Sequence, residues 1–148
     1  GARAEAACLC PTGLRAAVAA GAEVWVAEGE LGCGPCRVSY ILEGHQGAVS
    51  AVAFGSPHSG DWLISAGEDR TVKLWDLGAG ALLWQSAVLC AAPLTALAVD
   101  PSFPRFAAGA ADGVVRFFDA SSGAGARCLQ ALDCAAALER WRARAAEA

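Results

Sequence analysis

Short apolar runs alternate along most of the chain with clusters of Gly, Pro, Asp and Ser. Runs of roughly four to eight residues bounded by such turn residues are typical of β-strands, whereas an amphipathic helix repeats its apolar positions about every 3.6 residues. The central part of the chain predicts four strands in this way, at 48–54, 62–66, 72–75 and 82–86. These strands are nearly continuous in apolar residues, which indicates a sheet covered on both faces.

The strand pattern repeats along the chain. Residues 67–76 align with 110–119 at an offset of 43, and 49–54 align with 94–99 at an offset of 45. A repeat of about 40 to 45 residues made of short strands is typical of propeller blades. The N-terminal third predicts a decayed copy, with strands at 6–10, 14–20 and 23–26, and 38–42 is predicted as the outer strand that precedes the clear unit.

We therefore predict an all-β fold, a partial β-propeller of about three four-stranded blades with a C-terminal helical tail. The pattern divides the chain into a degenerate blade with its connection at 1–37, a clear repeat at 38–86, a second, degenerate repeat at 87–133 and a helical tail or linker at 134–148. Closed propellers have roughly 4 to 8 blades. We expect this chain to be part of a longer protein, with an uncovered face on each terminal blade.

The second repeat contains a strong turn signal, Asp112-Gly113, between predicted strands at 106–108 and 114–118. This dipeptide is typical of a two-residue hairpin turn, which needs positive φ at both central positions. The sequence therefore predicts positive φ at Asp112 as well as at Gly113.

The tail from 135 to 148 is rich in Ala, Arg and Glu and contains no turn residue, which favours a helix. On such a helix Leu138, Trp141 and Ala145 share one side, with arginines interleaved. Two interpretations stay open for it. One is a surface for a partner or a membrane, and the other is a solvated linker helix.

The charge balance disfavours some classes of partner. Eleven Lys and Arg against fifteen Asp and Glu give a formal net charge of -4, so no positive field attracts nucleic acid or an anionic lipid surface. Residues 77–99 are uncharged and long enough to cross a bilayer, but Gly78, Gly80 and Pro93 favour strands and turns there. We expect neither nucleic acid nor a membrane as partner.

The seven cysteines form an odd set without a secretory framework, which favours reduced thiols and an intracellular location, in the cytoplasm or the nucleus. Cys33-Gly34-Pro35-Cys36 matches the redox motif of thioredoxin-like oxidoreductases. That chemistry needs a buried strand before the motif and a helix after it, whereas here a Gly-rich connection precedes it and a strand follows. We favour an inter-blade loop, and we keep a thiol-disulfide oxidoreductase at Cys33 and Cys36 as an alternative.

A zinc site is another alternative for these thiols, with Cys8 and Cys10 completing four ligands. Cys8 and Cys10 lie two apart on a predicted strand, so both point to one face, which we expect the core to occupy. His58 lies in a predicted loop with nothing nearby to complete a metal site. We expect no metal and no cofactor.

Gly44-His45, Ser65, Asp69 and Trp75-Asp76 resemble the defining positions of the WD-repeat family, whose blades open with Gly-His and close a strand with Trp-Asp. The resemblance implies a buried hydrogen-bonded tetrad. In it Asp69 accepts from His45, while Ser65 joins His45 to the indole N–H of Trp75. A buried carboxylate is stable only where its oxygens are paired, so such a network fixes one turn geometry.

The next repeat departs from the family pattern. Cys90, Ala108 and Phe118 stand where the His, Ser and Trp would be, and Asp112 is retained. Without the polar network, this blade must depend on packing.

The resemblance implies a non-enzymatic scaffold for protein–protein interactions. Ser65, His45 and Asp69 could instead be taken for a hydrolytic triad, but Ser65 lacks the G-x-S-x-G elbow that exposes a nucleophile. We therefore expect no enzymatic activity. Other proteins or peptides and the remaining blades of a parent protein are the expected partners. A purely structural segment of a larger propeller is a further alternative.

Propellers of this family bind partners through loops at one face of the ring. By resemblance, the partner-binding positions here are Gln46, Ala48, Glu68 and Arg70. Arg70 is the best single anchor, because binding hot spots are enriched in Trp, Tyr and Arg. The corresponding residues of the next repeat are small: Ala91, Pro93 and Ala111.

Overall fold

A computed structural model describes residues 4–10, 15–29, 34–55, 62–100, 104–122 and 124–147 of the chain. Within these ranges the elements are twelve strands and one helix. The first four strands are β1 (Ala4–Leu9), β2 (Arg15–Ala20), β3 (Glu23–Glu28) and β4 (Arg37–Leu42). The next four are β5 (Val49–Phe54), β6 (Trp62–Gly67), β7 (Val72–Asp76) and β8 (Ala81–Gln85). The last are β9 (Leu94–Val99), β10 (Arg105–Ala110), β11 (Val114–Asp119) and β12 (Arg127–Asp133), followed by α1 (Cys134–Glu147).

Each group of four strands forms one antiparallel sheet with its strands in chain order. We call these the first, middle and third sheets. The second and third strands of each sheet pair through corresponding residues: Ala19 with Val24, Ala66 with Val72, and Gly109 with Val115. The prediction of an all-β partial propeller with a C-terminal helix is confirmed.

The middle sheet lies between the other two and is buried on both faces. Successive residues of a strand point to opposite faces, and β6 shows this with Leu63 and Ile64. Leu63 belongs to the core shared with the first sheet, and Ile64 to the core shared with the third. This arrangement explains why β6 and β7 are nearly continuous in apolar residues.

The clear repeat predicted at 38–86 begins one strand before the middle sheet. β4 lies within the unit predicted at 38–86, yet it pairs with β3 as the fourth strand of the first sheet. The segment at 43–48 then leads to β5, the first strand of the middle sheet. The clear repeat at 38–86 therefore contributes strands to two neighbouring sheets, whereas the repeat at 87–133 contains the four strands of the third sheet.

The prediction of positive φ at both Asp112 and Gly113 is wrong. Gly113 alone has positive φ, at 82°. The turn is longer than two residues, because the Gly113 N–H donates to the carbonyl of Ala110 at 3.1 Å. Arg70, with φ at 67°, occupies the corresponding position in the middle sheet and donates to Gly67 in the same way.

α1 begins directly after β12 and is capped by Asp133, whose Oδ1 accepts from the Ala136 N–H at 3.2 Å. None of its residues is buried, and Trp141 is 60% exposed. No helix in the described ranges has the length and apolarity needed to span a bilayer. The uncharged run at 77–99 is divided between a turn, β8, a linker and β9.

Candidate functional site

The structure brings His45, Ser65, Asp69 and Trp75 together in a group that runs from the turn between β6 and β7 along one face of the middle sheet. His45 Nδ1 lies 2.8 Å from Asp69 Oδ2, and His45 Nε2 lies 2.6 Å from Ser65 Oγ. The indole Nε1 of Trp75 donates to the same Ser65 Oγ at 2.8 Å. The four side chains therefore form one continuous chain of hydrogen bonds on the side of the middle sheet that faces the first sheet.

The direction of each hydrogen bond follows from the two ends of the chain. Trp75 can only donate and the Asp69 carboxylate can only accept, so Ser65 donates to His45 Nε2 and His45 donates from Nδ1. Burial lowers the pKa of His45 below its ordinary value of 6.5; the hydrogen bond and charge of Asp69 oppose this shift, and the charge of Lys73 adds to it. The imidazole is consequently neutral, and each of its nitrogens has a partner.

Asp69 connects two loops. Its Oδ2 accepts from the backbone N–H of Gln46 at 3.1 Å, and its Oδ1 accepts from the backbone N–H and the hydroxyl of Thr71. Burial acts to raise the pKa of Asp69, but the hydrogen bonds from His45, Gln46 and Thr71 outweigh it, so that pKa lies below its ordinary value of 3.8. One ionised carboxylate thus joins the segment before β5 to the turn between β6 and β7.

Ser65, His45 and Asp69 have the order of contacts found in a hydrolytic triad, but Ser65 cannot meet a substrate. Ser65 is 0% exposed, and its oxygen already accepts from the Trp75 indole. A nucleophile must reach the reacting atom of a bound substrate. The arrangement is therefore suited to holding loops together and not to nucleophilic attack.

The third sheet holds aromatic packing where the middle sheet holds the tetrad. Phe118 stacks on Phe106 with ring centroids 4.9 Å apart, and Trp84 of the middle sheet meets Phe118 edge to face at 6.4 Å. Ala108 is fully buried beside them, and the Cys90 thiol donates to the carbonyl of Ala92. The network is replaced by apolar contacts worth about 0.5–1.5 kcal/mol for each aromatic pair beyond area burial.

The four predicted partner-binding residues lie next to Asp69, at the end of the middle sheet where β5 begins and β6 turns into β7. Gln46 and Glu68 are exposed, whereas Ala48 and Arg70 are half-buried. The Glu68 N–H donates to the Ala48 carbonyl at 2.9 Å, and a Cβ at Gly47 would lie 3.3 Å from the Cβ of Glu68. The two loops therefore touch, and together they form one small surface.

Sequence reasoning missed that the linkers after the outer strands cross this end of the sheets. The Leu89 N–H donates to the carbonyl of Arg70, and the Cys134 N–H donates to the carbonyl of Gly113, at 3.1 and 3.0 Å. Arg70 and Gly113 correspond at the repeat offset of 43. The start of α1 thus takes the position that the 86–93 linker takes in the middle sheet.

Sequence reasoning also missed Lys73, which is buried next to the tetrad. Its Nζ donates to Gln85 Oε1 at 2.6 Å, and it pairs in register with Ser65. A lysine within an apolar run at 72–75 was the available signal, because a buried ammonium needs a hydrogen-bond acceptor.

The thiols have different surroundings. Cys8 and Cys10 pack in the core between the first and middle sheets, and burial raises the pKa of the Cys8 thiol to about 11. Cys36 is exposed, whereas Cys33 and His58 lie outside the described residues. In the part of the chain that the structure describes, no three His, Cys, Asp or Glu side chains are grouped to hold a metal ion.

The chain matches the WD40 family, described as WD domain, G-beta repeat, at residues 36–76 and 85–119. The Chlamydomonas reinhardtii protein named ribosome biogenesis protein BOP1 homolog is 37% identical over 67 residues, which are 45% of this chain and 8% of that protein. Pre-mRNA-splicing factor PRP46 of Saccharomyces cerevisiae is 40% identical over 48 residues, 32% of this chain and 10% of that protein. The Drosophila melanogaster protein LST8 homolog is 31% identical over 81 residues, 55% of this chain and 25% of that protein.

This chain thus spans a tenth or less of the length of the first two relatives and a quarter of the third. The two matched ranges carry the tetrad, the loops around it and the stacked Phe106 and Phe118 of the third sheet, and together they cover slightly more than half of the chain. The chain belongs to the WD40 family.

Proposed function

We propose that this chain is part of a non-enzymatic scaffold for protein–protein interactions. Its binding surface consists of the loops at 46–48 and 68–70, and its ligands are other proteins or peptides. The observation that carries the proposal is the position of Asp69, whose carboxylate accepts from Gln46 in one loop and from Thr71 beside the other. Loops held in one conformation lose little freedom on binding, which favours affinity.

In this proposal the tetrad of His45, Ser65, Asp69 and Trp75 is structural. It fixes the loops and does not touch the partner, because His45, Ser65 and Trp75 are buried. Contact with the partner is made by Gln46, Ala48, Glu68 and Arg70, and Arg70 is the anchor.

Charge reversal at Arg70 tests the proposal. The 148-residue chain is immobilised as wild type, as Arg70→Glu, and as Arg142→Glu, the same charge reversal at an exposed residue of α1. We expect Arg70→Glu to lose proteins that the wild type captures from a cell lysate, at an unchanged melting temperature, while Arg142→Glu keeps them. Equal capture by all three would contradict the proposal, and a loss of both capture and stability would make Arg70 structural.

We further propose that additional blades of a parent protein cover the first and third sheets. In the described residues each of these sheets packs against the middle sheet on one face only. The parent is, in this proposal, similar to WD repeat-containing protein 27, because a clear repeat is followed by a unit with Cys90 in place of a second Gly-His, a likeness that covers roughly residues 38–120. The complete reading frame tests it: a parent without further units of this period would refute both statements.

A thiol-disulfide oxidoreductase at Cys33 and Cys36 is the alternative from another class. Cys36 precedes β4, a strand, whereas the first thiol of such enzymes opens a helix. We expect no insulin reduction above that of the Cys33→Ser variant. Turnover that disappears in this variant would favour the enzyme.

We also propose an intracellular location. The cysteines that the structure describes as free agree with a reducing compartment. The names of two relatives refer to ribosome biogenesis and pre-mRNA splicing. Fractionation of cells that express the tagged parent protein tests this, and recovery from the culture medium would contradict it.

A further inference from the structure

The first and third sheets each present an apolar face that no described residue covers. The outer face of the first sheet, turned away from the middle sheet, carries Ala7, Leu9, Ala16, Val18, Trp25 and Ile41. The outer face of the third sheet carries Ala96, Ala98, Ala107, Gly109, Val115 and Phe117. Leu9 is 66% exposed and Ile41 51%. Apolar faces of this kind mark interaction surfaces.

The two interfaces within the chain show what fits such a face. The first sheet presents Val24 and Val26 to the middle sheet, and the middle sheet presents Val72 and Leu74 to the third. The register pairs show that the corresponding residues of the third sheet are Val115 and Phe117, on its outer face. The outer face of the third sheet therefore carries the same positions with which the first sheet packs against the middle sheet and the middle sheet packs against the third.

The outer face of the first sheet is the opposite half. The middle sheet receives the first through Phe54 and Leu63, and the third receives the middle through Val99 and Phe106. The corresponding residues of the first sheet, Leu9 and Ala16, lie on its outer face. Leu74 and Val99 line one small cavity between the middle and third sheets, so Phe117 would meet Leu9 in an interface of the same kind.

A polar contact repeats in the same way. The hydroxyl of Ser50 in β5 lies within hydrogen-bond distance of two carbonyl oxygens, that of Ala66 in its own sheet and that of Leu94 in the third sheet, and donates its one proton to one of them at a time. Thr95 corresponds to Ser50 and donates to the carbonyl of Gly109 within its own sheet, at 3.5 Å. In the first sheet the residue that corresponds to Leu94 is Ala4, each preceding the register shift of its strand. If a first sheet packs against the third as the third packs against the middle sheet, then Thr95 is placed to donate to the carbonyl of Ala4 in that first sheet.

We infer that, in the 148-residue chain without further blades attached, the outer face of the third sheet binds the outer face of the first sheet of a second copy of this chain. Two copies joined twice in this head-to-tail way form a closed ring of six blades, within the roughly 4 to 8 blades of known propellers. The inference rests on the proposed blade architecture. α1 leaves the face open, since it starts at the loop end of β12 and none of its residues is buried.

Light scattering combined with gel filtration on the 148-residue chain tests the inference. The wild type of 15.0 kDa per chain is expected at about 30 kDa, with dissociation on dilution. Leu9→Asp and Phe117→Asp each place an unpaired carboxylate in the interface and should raise the dissociation constant at least ~100-fold. Thr95→Val should raise it roughly 5-fold, because one hydrogen bond is lost. Val88→Asp, at an exposed apolar residue outside both faces, should leave it unchanged.

Mixing the two face variants separates head-to-tail pairing from other modes. Leu9→Asp retains an intact third-sheet face and Phe117→Asp an intact first-sheet face, so the mixture should form a one-to-one pair although each alone is monomeric. A monomeric wild type, a dimer that persists in Phe117→Asp, or growth beyond two copies would each overturn the inference. Circular dichroism of every variant confirms that the strands are retained. A monomeric wild type would leave the Arg70 experiment unaffected, so the proposed scaffold and this inference fail separately.

Discussion

His45 donates a hydrogen bond of 2.8 Å to Asp69, although 24 residues separate them in the chain. The contact closes a loop that contains two strands of the middle sheet, so its formation depends on the sheet being assembled. The carboxylate in turn binds the backbone of Gln46 and of Thr71. The side chain of Asp69 thus connects the folded sheet to the proposed binding loops and restricts their conformation.

Asp69→Asn should lower the free energy of unfolding by about 2 kcal/mol. The amide keeps one acceptor oxygen, but it loses the charge-assisted hydrogen bonds and places an NH₂ group against a donor. Urea denaturation at a fixed protein concentration measures the change. Asp112→Asn is the matched control, because Asp112 occupies the same position in the third sheet. Its carboxylate accepts from the backbone N–H of Val114 in a solvent-exposed contact. A cost below about 0.5 kcal/mol in the control is expected; equal costs would mean that the tetrad adds nothing.

Ser65→Ala and Trp75→Phe should each destabilise the chain by about 2 kcal/mol, yet the double variant should cost less than their sum by ~1 kcal/mol or more. Ser65→Ala leaves the His45 and Trp75 nitrogens without their buried partner, and Trp75→Phe leaves Ser65 with one contact fewer. At the positions that correspond to Ser65 and Trp75, the third sheet already has Ala108 and Phe118. Denaturant titration of the four proteins completes the cycle, and strict additivity would show that the Ser65–Trp75 contact is not coupled.

Stability should fall as the pH drops below about 6.5. The pKa of His45 is lower in the folded chain than its ordinary 6.5, since burial opposes the charged form. The unfolded chain therefore binds more protons in this range, so the contribution of neutral His45 is complete above 6.5 and is lost as the pH falls toward the folded pKa. The pKa of Asp69 is also lowered, and its contribution is lost in a second step below 3.8.

Melting curves between pH 7.5 and 5 measure the first step, at about half-unit intervals. His45→Gln should remove most of the slope, whereas His58→Gln, at the other histidine of the chain, should retain it. A slope that survives in His45→Gln would assign the titration to another group.

Alkylation with iodoacetamide should divide the thiols into two groups. Cys36, Cys128 and Cys134 are exposed, whereas Cys8 has a pKa raised to about 11 by burial and Cys10 is in the core. The thiolate is the reactive form, so Cys8 should react at least ~100-fold more slowly at pH 8. Cys10 should also react more slowly than the exposed thiols, because the core shields it from the reagent. Peptide mass spectrometry identifies the sites, and the same reaction in urea should equalise them. A Cys8 that reacts like Cys128 would contradict the packing of β1 against β5.

The strands could be predicted from the sequence because the apolar runs end at strong turn residues, as at Gly78 and Gly80 after β7. The pairing of His45 with Asp69 depended on resemblance, since no local pattern indicates a contact over 24 residues. The left-handed conformation of Arg70 could not be predicted, because an arginine has no preference for it. Only its alignment with Gly113 at the repeat offset contained that information. The outer faces were predictable in principle from blade number, but their residues required the register.

Arg70→Gly should raise the stability of the chain while lowering its capture of partners. Arg70 has φ at 67°, which costs a residue with a side chain about 1 kcal/mol relative to glycine. Gly113 has φ at 82° at the corresponding position, and a Cβ there would meet nothing within 4 Å, so Gly113→Ala should cost about 1 kcal/mol through the backbone alone. Thermal melts of both variants measure these opposite changes. If Arg70→Gly lowers the melting temperature, then contacts of the Arg70 side chain stabilise the fold and the arginine is structural. If it raises the melting temperature and abolishes capture, then the chain retains a strained arginine at this turn for the partner.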